Sequence, residues 1–223
     1  MQDARADVRQ PVQIKVGADL LEGDLVVPER ATGLVIFAHG SGSSRFSRRN
    51  RLVAQVLERG GFATLLLDLL TKEEDAIDVR TREYRFDIDR LARRVIAAID
   101  WADQQPALRA LPVACFGAST GAAAALMAAA DRPDNVQAVI SRGGRPDLAG
   151  DALPRVLAPT LLIVGGDDDV VIQLNQDAMR RMEAPVQLEI VPGATHLFEE
   201  PGTLERVSEL AREWCARHLT SSR

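Results

Sequence analysis

Apolar and polar positions along this chain follow two rhythms: short, continuous apolar runs, and longer stretches in which apolar residues recur every three or four positions. The short runs predict eight strands: Val12 to Val16, Gly23 to Val27, Leu34 to Ala38, Ala63 to Leu67, Pro112 to Phe116, Val136 to Ile140, Thr160 to Val164 and Val186 to Val191. The longer stretches predict helices over Arg48 to Arg59, Phe86 to Gln104, Thr120 to Ala130, Gln173 to Met182 and Thr203 to His218. Between the first two strands the polar stretch Gly17, Ala18, Asp19 leaves no room for a helix, so they form an antiparallel hairpin at one edge of a sheet. From the third strand onward helices and strands alternate, the signature of a mostly parallel sheet with helices on both faces. The segment Ala122 to Ala130 is the clearest helix, because alanine has the best helix propensity and Pro133 stops it. The connections from Leu69 to about Arg85 and from Arg142 to Ala158 are long enough to call for short helices or a functional role. The tail from Thr220 to Arg223 is expected to fray.

Composition narrows the class. A chain of 223 residues can bury one sizeable core, so a single α/β domain is expected, its core running from about residue 12 to 219. With 32 acidic against 27 basic residues, a formal charge of -5, the protein has no general attraction to nucleic acid. Met1 to Gln10 hold no apolar signal segment, no apolar run reaches the length of a membrane span, and Cys115 and Cys215 make no disulfide framework. These features lead us to expect a reduced, cytoplasmic protein with neither a nucleic-acid nor a membrane partner; its oligomeric state is left open.

Chemistry concentrates in a few places. Gly117-Ala118-Ser119-Thr120-Gly121 fits G-x-S-x-G between a strand and a helix, where small neighbours let the serine occupy a sharp turn and the helix N-terminus faces its hydroxyl. The alternative is a Gly-rich helix start without chemistry. A hydroxyl needs a base to act as a nucleophile, and the chain has three histidines. His218 lies in a last helical turn and His39 at the end of a strand, in a position suited to loop architecture. His196, on the loop after the last strand, is the candidate base. Asp167, Asp168 and Asp169 follow the seventh strand and are candidates to orient that base. No spaced calcium loop and no His or Cys cluster accompanies them, so no metal is expected. Arg142 and Arg145, after the sixth strand, could clamp a substrate carboxylate, or be solvated or structurally paired.

These residues resemble the α/β-hydrolase superfamily, in particular its dienelactone-hydrolase-like branch, over nearly the whole chain from about Val12 to Leu219. The resemblance implies a nucleophile after the fifth strand, an acid after the seventh and a histidine after the eighth, which are Ser119, Asp168 and His196; Asp168 fits the family's G-x-x-D spacing counted from Gly165. It also implies that His39-Gly40-Ser41-Gly42 is the oxyanion loop, with the backbone N–H groups of Ser41 and Thr120 as donors. Enzymes of the branch that act on dienelactone itself use cysteine, so Ser119 argues against that substrate. The expected activity is hydrolysis of an ester or related acyl bond of a small substrate through an acyl-enzyme, without a cofactor. The competing readings are an acyltransferase or thioesterase on the same residues and a non-catalytic binding module on the same fold.

Overall fold

A computed structural model describes residues 7–219. The tail expected to fray, and the first six of the residues read for a signal segment, lie outside that range. Strands β1 (Val8–Val16) and β2 (Asp19–Val27) form the predicted antiparallel hairpin, longer than expected at the N-terminal end of each strand. The chain continues through β3 (Leu34–Ala38), α1 (Arg48–Arg59), β4 (Ala63–Leu67), α2 (Lys72–Thr81), α3 (Ile88–Gln104), β5 (Val113–Ala118) and α4 (Thr120–Asp131). It then forms β6 (Val136–Arg142), 3-10 turns over Pro146–Arg155 broken at Gly150, β7 (Thr160–Gly165), α5 (Asp169–Met179), β8 (Val186–Val191) and α6 (Thr203–His218). All eight strands join one sheet in the order β1-β2-β4-β3-β5-β6-β7-β8, antiparallel at β1–β2 and β2–β4 and parallel elsewhere.

The central strands are buried on both faces, which is why they read as unbroken apolar runs rather than alternating ones. Leu34, Ile36 and Ala38 of β3 enter the core on the side of α3 and α4, while Val35 and Phe37 enter the core on the side of α1 and α6. Phe37 meets Phe116 of β5 with ring centroids 4.8 Å apart, locking neighbouring strands together. Helix α4 is buried almost all round because its Ala122 to Ala125 side chains let the sheet, α3 and the 3-10 turns approach closely.

The connection after β4, long enough to call for a short helix, holds one, α2. Its low apolar content hid its bounds, but its start is written in Thr71 and Glu74: the threonine hydroxyl accepts from Glu74 N, and the glutamate accepts from Thr71 N. Helix α5 begins at Asp169 rather than Gln173, because an acidic first turn suits the positive end of the helix dipole.

Cys115 and Cys215 are unpaired and fully buried, and burial pushes each thiol up to about 12. In the native protein neither thiol should react with Ellman's reagent at about pH 8, while denaturant should release both. Fast labelling of either in the native state would show that the packing around β5 or α6 is looser than described.

Candidate active site

Strand β5 ends at Ala118, and Ser119 follows with φ 51° and ψ -123°, one of only three non-glycine residues with positive φ among the described residues. Helix α4 starts at the next residue. So sharp a turn requires glycine on either side: a Cβ on Gly117 would strike the backbone of Ala122, and one on Gly121 would lie 2.6 Å from the carbonyl oxygen of His39. The serine backbone costs about 1–3 kcal/mol in this conformation. It is held by neighbours: Ser119 N donates to Arg142 O at 3.3 Å, and Arg145 N and Ala122 N donate to Ser119 O at 3.0 and 3.1 Å. At roughly 0.5–1.5 kcal/mol each, three such bonds are enough to offset the strain.

The loops after β7 and β8 are tied to each other before their side chains meet. Gly166 N donates to Val191 O at 2.8 Å and Asp167 N to Ala194 O at 3.0 Å. Beyond the histidine, Phe198 is 1% exposed and fastens the loop in the core. With the backbones fixed in this way, His196 Nδ1 donates to Asp168 Oδ2 at 2.8 Å. A carboxylate can only accept, so the proton of a neutral imidazole is on Nδ1 and Nε2 is left as an acceptor. Ser119 and His196 both border a cavity of about 240 Å³, together with Gly40, Ser41, Asn50 and Arg142. Their side chains share this space without a direct hydrogen bond between them among the described residues.

On the other side of the serine the loop after β3 is tied down at several points. Ser41 Oγ lies 2.9 Å from Thr120 Oγ1 and donates to Arg85 O at 3.3 Å, joining this loop to the start of α4 and to the segment before α3. Arg45 donates from its backbone to Asp68 at 2.7 Å and pairs through its guanidinium with Asp68, Glu22 and Asp24. His39 bridges two strand ends: its Nδ1 donates to Gly40 O at 2.9 Å, and its Nε2 accepts from Leu69 N at 2.9 Å. The role in loop architecture expected for it is the one it fills.

Of the two arginines after β6, Arg142 reaches the cavity. It is 7% exposed, its Nη2 donates to Asn50 Oδ1 at 3.3 Å, and its Nε has no partner. Burial, helped by the charge of Arg49, pushes its pKa down to about 10. Arg145 does not line the cavity; Asp147 holds it through two bonds of 2.9 and 2.8 Å, so the structurally paired reading applies to it. Sequence reasoning missed Asn50 and Arg49 on α1. Asn50 was detectable, since it precedes Val53, Ala54 and Leu57 by three, four and seven residues and so shares their buried face.

A mostly parallel eight-stranded sheet with a serine on a sharp turn after β5 and a histidine on the loop after β8 is the arrangement of the α/β-hydrolase fold. The family model described as the dienelactone hydrolase family matches residues 21–219, and the chain belongs to that family. The crystal structure of dienelactone hydrolase from Anabaena variabilis superposes with a TM-score of 0.94 at 57% identity, covering 96% of this chain and 100% of that one. A dienelactone hydrolase-like promiscuous phosphotriesterase, P91 from metagenomic libraries, shares the fold with a TM-score of 0.77 at 21% identity, over 96% of this chain and 100% of that one. A Mycobacterium tuberculosis protein named "Putative phosphoribosyl transferase" is 58% identical over 220 residues, 97% of this chain but 49% of that protein. The chain thus spans about half the length of the curated relatives it matches.

The state of His39 makes a prediction about stability. Burial lowers its pKa, against the opposing pull of Gly40 O, Asp68 and Asp75. The unfolded chain takes up a proton as pH falls through about 6.5 while the folded one resists it, so stability is complete above that value and is lost below it. Urea midpoints at about pH 7.5 and 5.5 should therefore differ more in the parent than in His39→Gln. An equal loss in both proteins would remove His39 from the pH response.

Proposed function

We propose that this protein is a serine hydrolase that cleaves a carboxylic ester, or a related acyl bond, of a small substrate through an acyl-enzyme on Ser119. The observation that carries the reading is the 2.8 Å bond from His196 Nδ1 to Asp168, made on the rim of the cavity that Ser119 borders. With Nδ1 committed to the carboxylate, Nε2 is the nitrogen that can take the serine proton. The hydroxyl attacks the carbonyl carbon, the proton passes to Nε2 and from there to the leaving group, and water repeats the sequence to release the acid. The direct contact from Ser119 to Nε2 forms in the substrate complex, since such bonds are commonly loose without substrate.

Negative charge then develops on the carbonyl oxygen. Thr120, first residue of α4, has an N–H with no helical acceptor, and the helix dipole adds to its effect. The N–H of Ser41, on a loop braced against Thr120, is the second donor in this proposal. The reaction needs no cofactor, and a location in the cytoplasm belongs to the same proposal, supported by two cysteines that remain unpaired.

Ser119→Ala should retain the fold and lose both fluorophosphonate labelling and hydrolysis of short p-nitrophenyl esters; labelling that persists at Ser41 or Ser43 would displace the assignment.

The acid has a separate test. Asp168→Asn should lower turnover by about four orders of magnitude, because an amide favours the wrong imidazole tautomer. Asp167→Asn and Asp169→Asn should each cost far less, since among the described residues the carboxylate that hydrogen-bonds the histidine is that of Asp168. Comparing kcat/KM for the three variants on one activated ester decides the point, and equal losses would mean a diffuse acidic field in place of a specific orienting bond.

A further inference from the structure

Helix α2 buries a single residue, and that residue is charged. Asp78 is 0% exposed, whereas Ile77 and Val79 on either side of it face solvent. A buried carboxylate is costly unless donors surround it, and here they do. Its Oδ1 accepts from Tyr84 N at 2.8 Å and from Arg85 N at 3.0 Å, and its Oδ2 accepts from Arg85 Nε at 2.5 Å. Arg85 Nη2 adds a bond of 3.1 Å to the carbonyl oxygen of the same aspartate. Burial pulls the pKa of Asp78 upward, but the backbone and guanidinium of Arg85, with Tyr84 N, outweigh it and hold the carboxyl below its usual range.

These bonds fold the chain back on itself after Arg82, which ends α2 in the left-handed region at φ 60°. What the fold-back fixes is Arg85, and Arg85 meets the loop after β3 twice. Its carbonyl oxygen accepts from Ser41 Oγ at 3.3 Å, and its Nη1 packs so close to Gly42 that a Cβ there would lie 3.1 Å from it. A hydroxyl carries one proton, so with that proton given to Arg85 O, Ser41 Oγ accepts from Thr120 Oγ1 at 2.9 Å. Asp78 therefore stands at the far end of a chain of bonds that reaches both Ser41 and Thr120. The long connection after β4 otherwise brings no apolar residue of α2 into the core.

We propose that Asp78 is a positioning residue: by fixing Arg85 it holds the Ser41 loop against Thr120, so that the N–H groups of both residues face one point as oxyanion donors. It touches no substrate and acts through Arg85 and the Ser41 hydroxyl. Donors aimed before the reaction starts are the ones that lower its barrier, which gives a buried charge this far from Ser119 a role in turnover. The inference rests on the acyl-transfer reading for the use made of the two donors, but not for the bracing of the loop.

Asp78→Asn keeps an oxygen for the two backbone N–H groups but sets an amide against the guanidinium, so it loosens the fold-back without opening a cavity. On a short p-nitrophenyl ester its kcat should fall about tenfold or more, the scale of a displaced donor, while KM stays within about twofold. Ser41→Ala removes the hydroxyl and keeps the N–H; it should cost a similar factor, and the double variant should be no slower than the slower single one. An unchanged kcat in Asp78→Asn, or losses that multiply in the double variant, overturns the inference. If Asp78→Asn does not fold, Arg85→Met, on a side chain that keeps some exposure, carries the same cycle. Hydrogen exchange supplies the arm that needs no turnover. Ser43 N, which donates to Gly40 O at 3.2 Å, should exchange faster in Asp78→Asn, while Gly166 N and Asp167 N on the loop after β7 exchange as in the parent. Faster exchange in both loops means that Asp78 serves general stability, and no change at Ser43 means that the loop does not depend on it; either result overturns the inference. Should the parent leave esters untouched while the selective change at Ser43 persists, the acyl-transfer reading fails and the bracing by Asp78 stands.

Discussion

The backbone of Ser119 is the constraint on which the rest of the site depends. A serine at φ 51° is unfavourable alone and persists because strand β6 and the loop beyond it hold the turn from the side, through Arg142 O and Arg145 N. The turn in turn fixes the start of α4, whose close approach to β3 is possible only because position 121 has no side chain. Strain of this kind, held by packed neighbours, presents a small hydroxyl to a cavity without burying it in the sheet.

Around that turn, the side chains are positioned by backbone first and by charge second. Carbonyl and amide groups zip the loops after β7 and β8 together, and only then do Asp168 and His196 fall within 2.8 Å. On the opposite side, Arg45 and its three carboxylates, with the imidazole of His39, brace the loop that carries Ser41. These partly buried contacts are screened less than surface pairs, so they count for more than an exposed ion pair such as that of Arg180 with Asp177 at the end of α5. Arg142 is the exception, a cation drawn into the protein by its place on β6 that meets no carboxylate among the described residues.

Fold and family agree over nearly the whole length of the Anabaena protein, whereas the mycobacterial relatives extend to about twice this chain. Their name describes the whole of a longer protein. The proposed activity therefore stands on Ser119, His196 and the residues around them, because a fold of this class hosts many chemistries.

The order of strands and helices, the hairpin at the edge and the glycines flanking Ser119 were determined by the sequence, because each is a local consequence of periodicity, chain length or steric freedom. Ser119, directly after β5, and His196, on the loop after β8, could be singled out as candidates from their place in that order, whereas Asp168 stood apart from its two acidic neighbours only through the resemblance. The bounds of helix α2 were hidden because its stability comes from the Thr71–Glu74 cap and from Asp78 accepting from Tyr84 and Arg85, not from an apolar stripe. Which of Asp167, Asp168 and Asp169 faces His196 was decided by the start of α5, whose N-cap is Asp168. Whether Arg142 or Arg145 would enter the cavity was likewise a matter of the tertiary structure: the two lie three residues apart with the same chemistry. One ends inside the sheet, where among the described residues no carboxylate pairs with it, and the other has Asp147 two residues away. Such distinctions depend on which distant side chain comes within a few ångströms, and that is settled only when the sheet has closed.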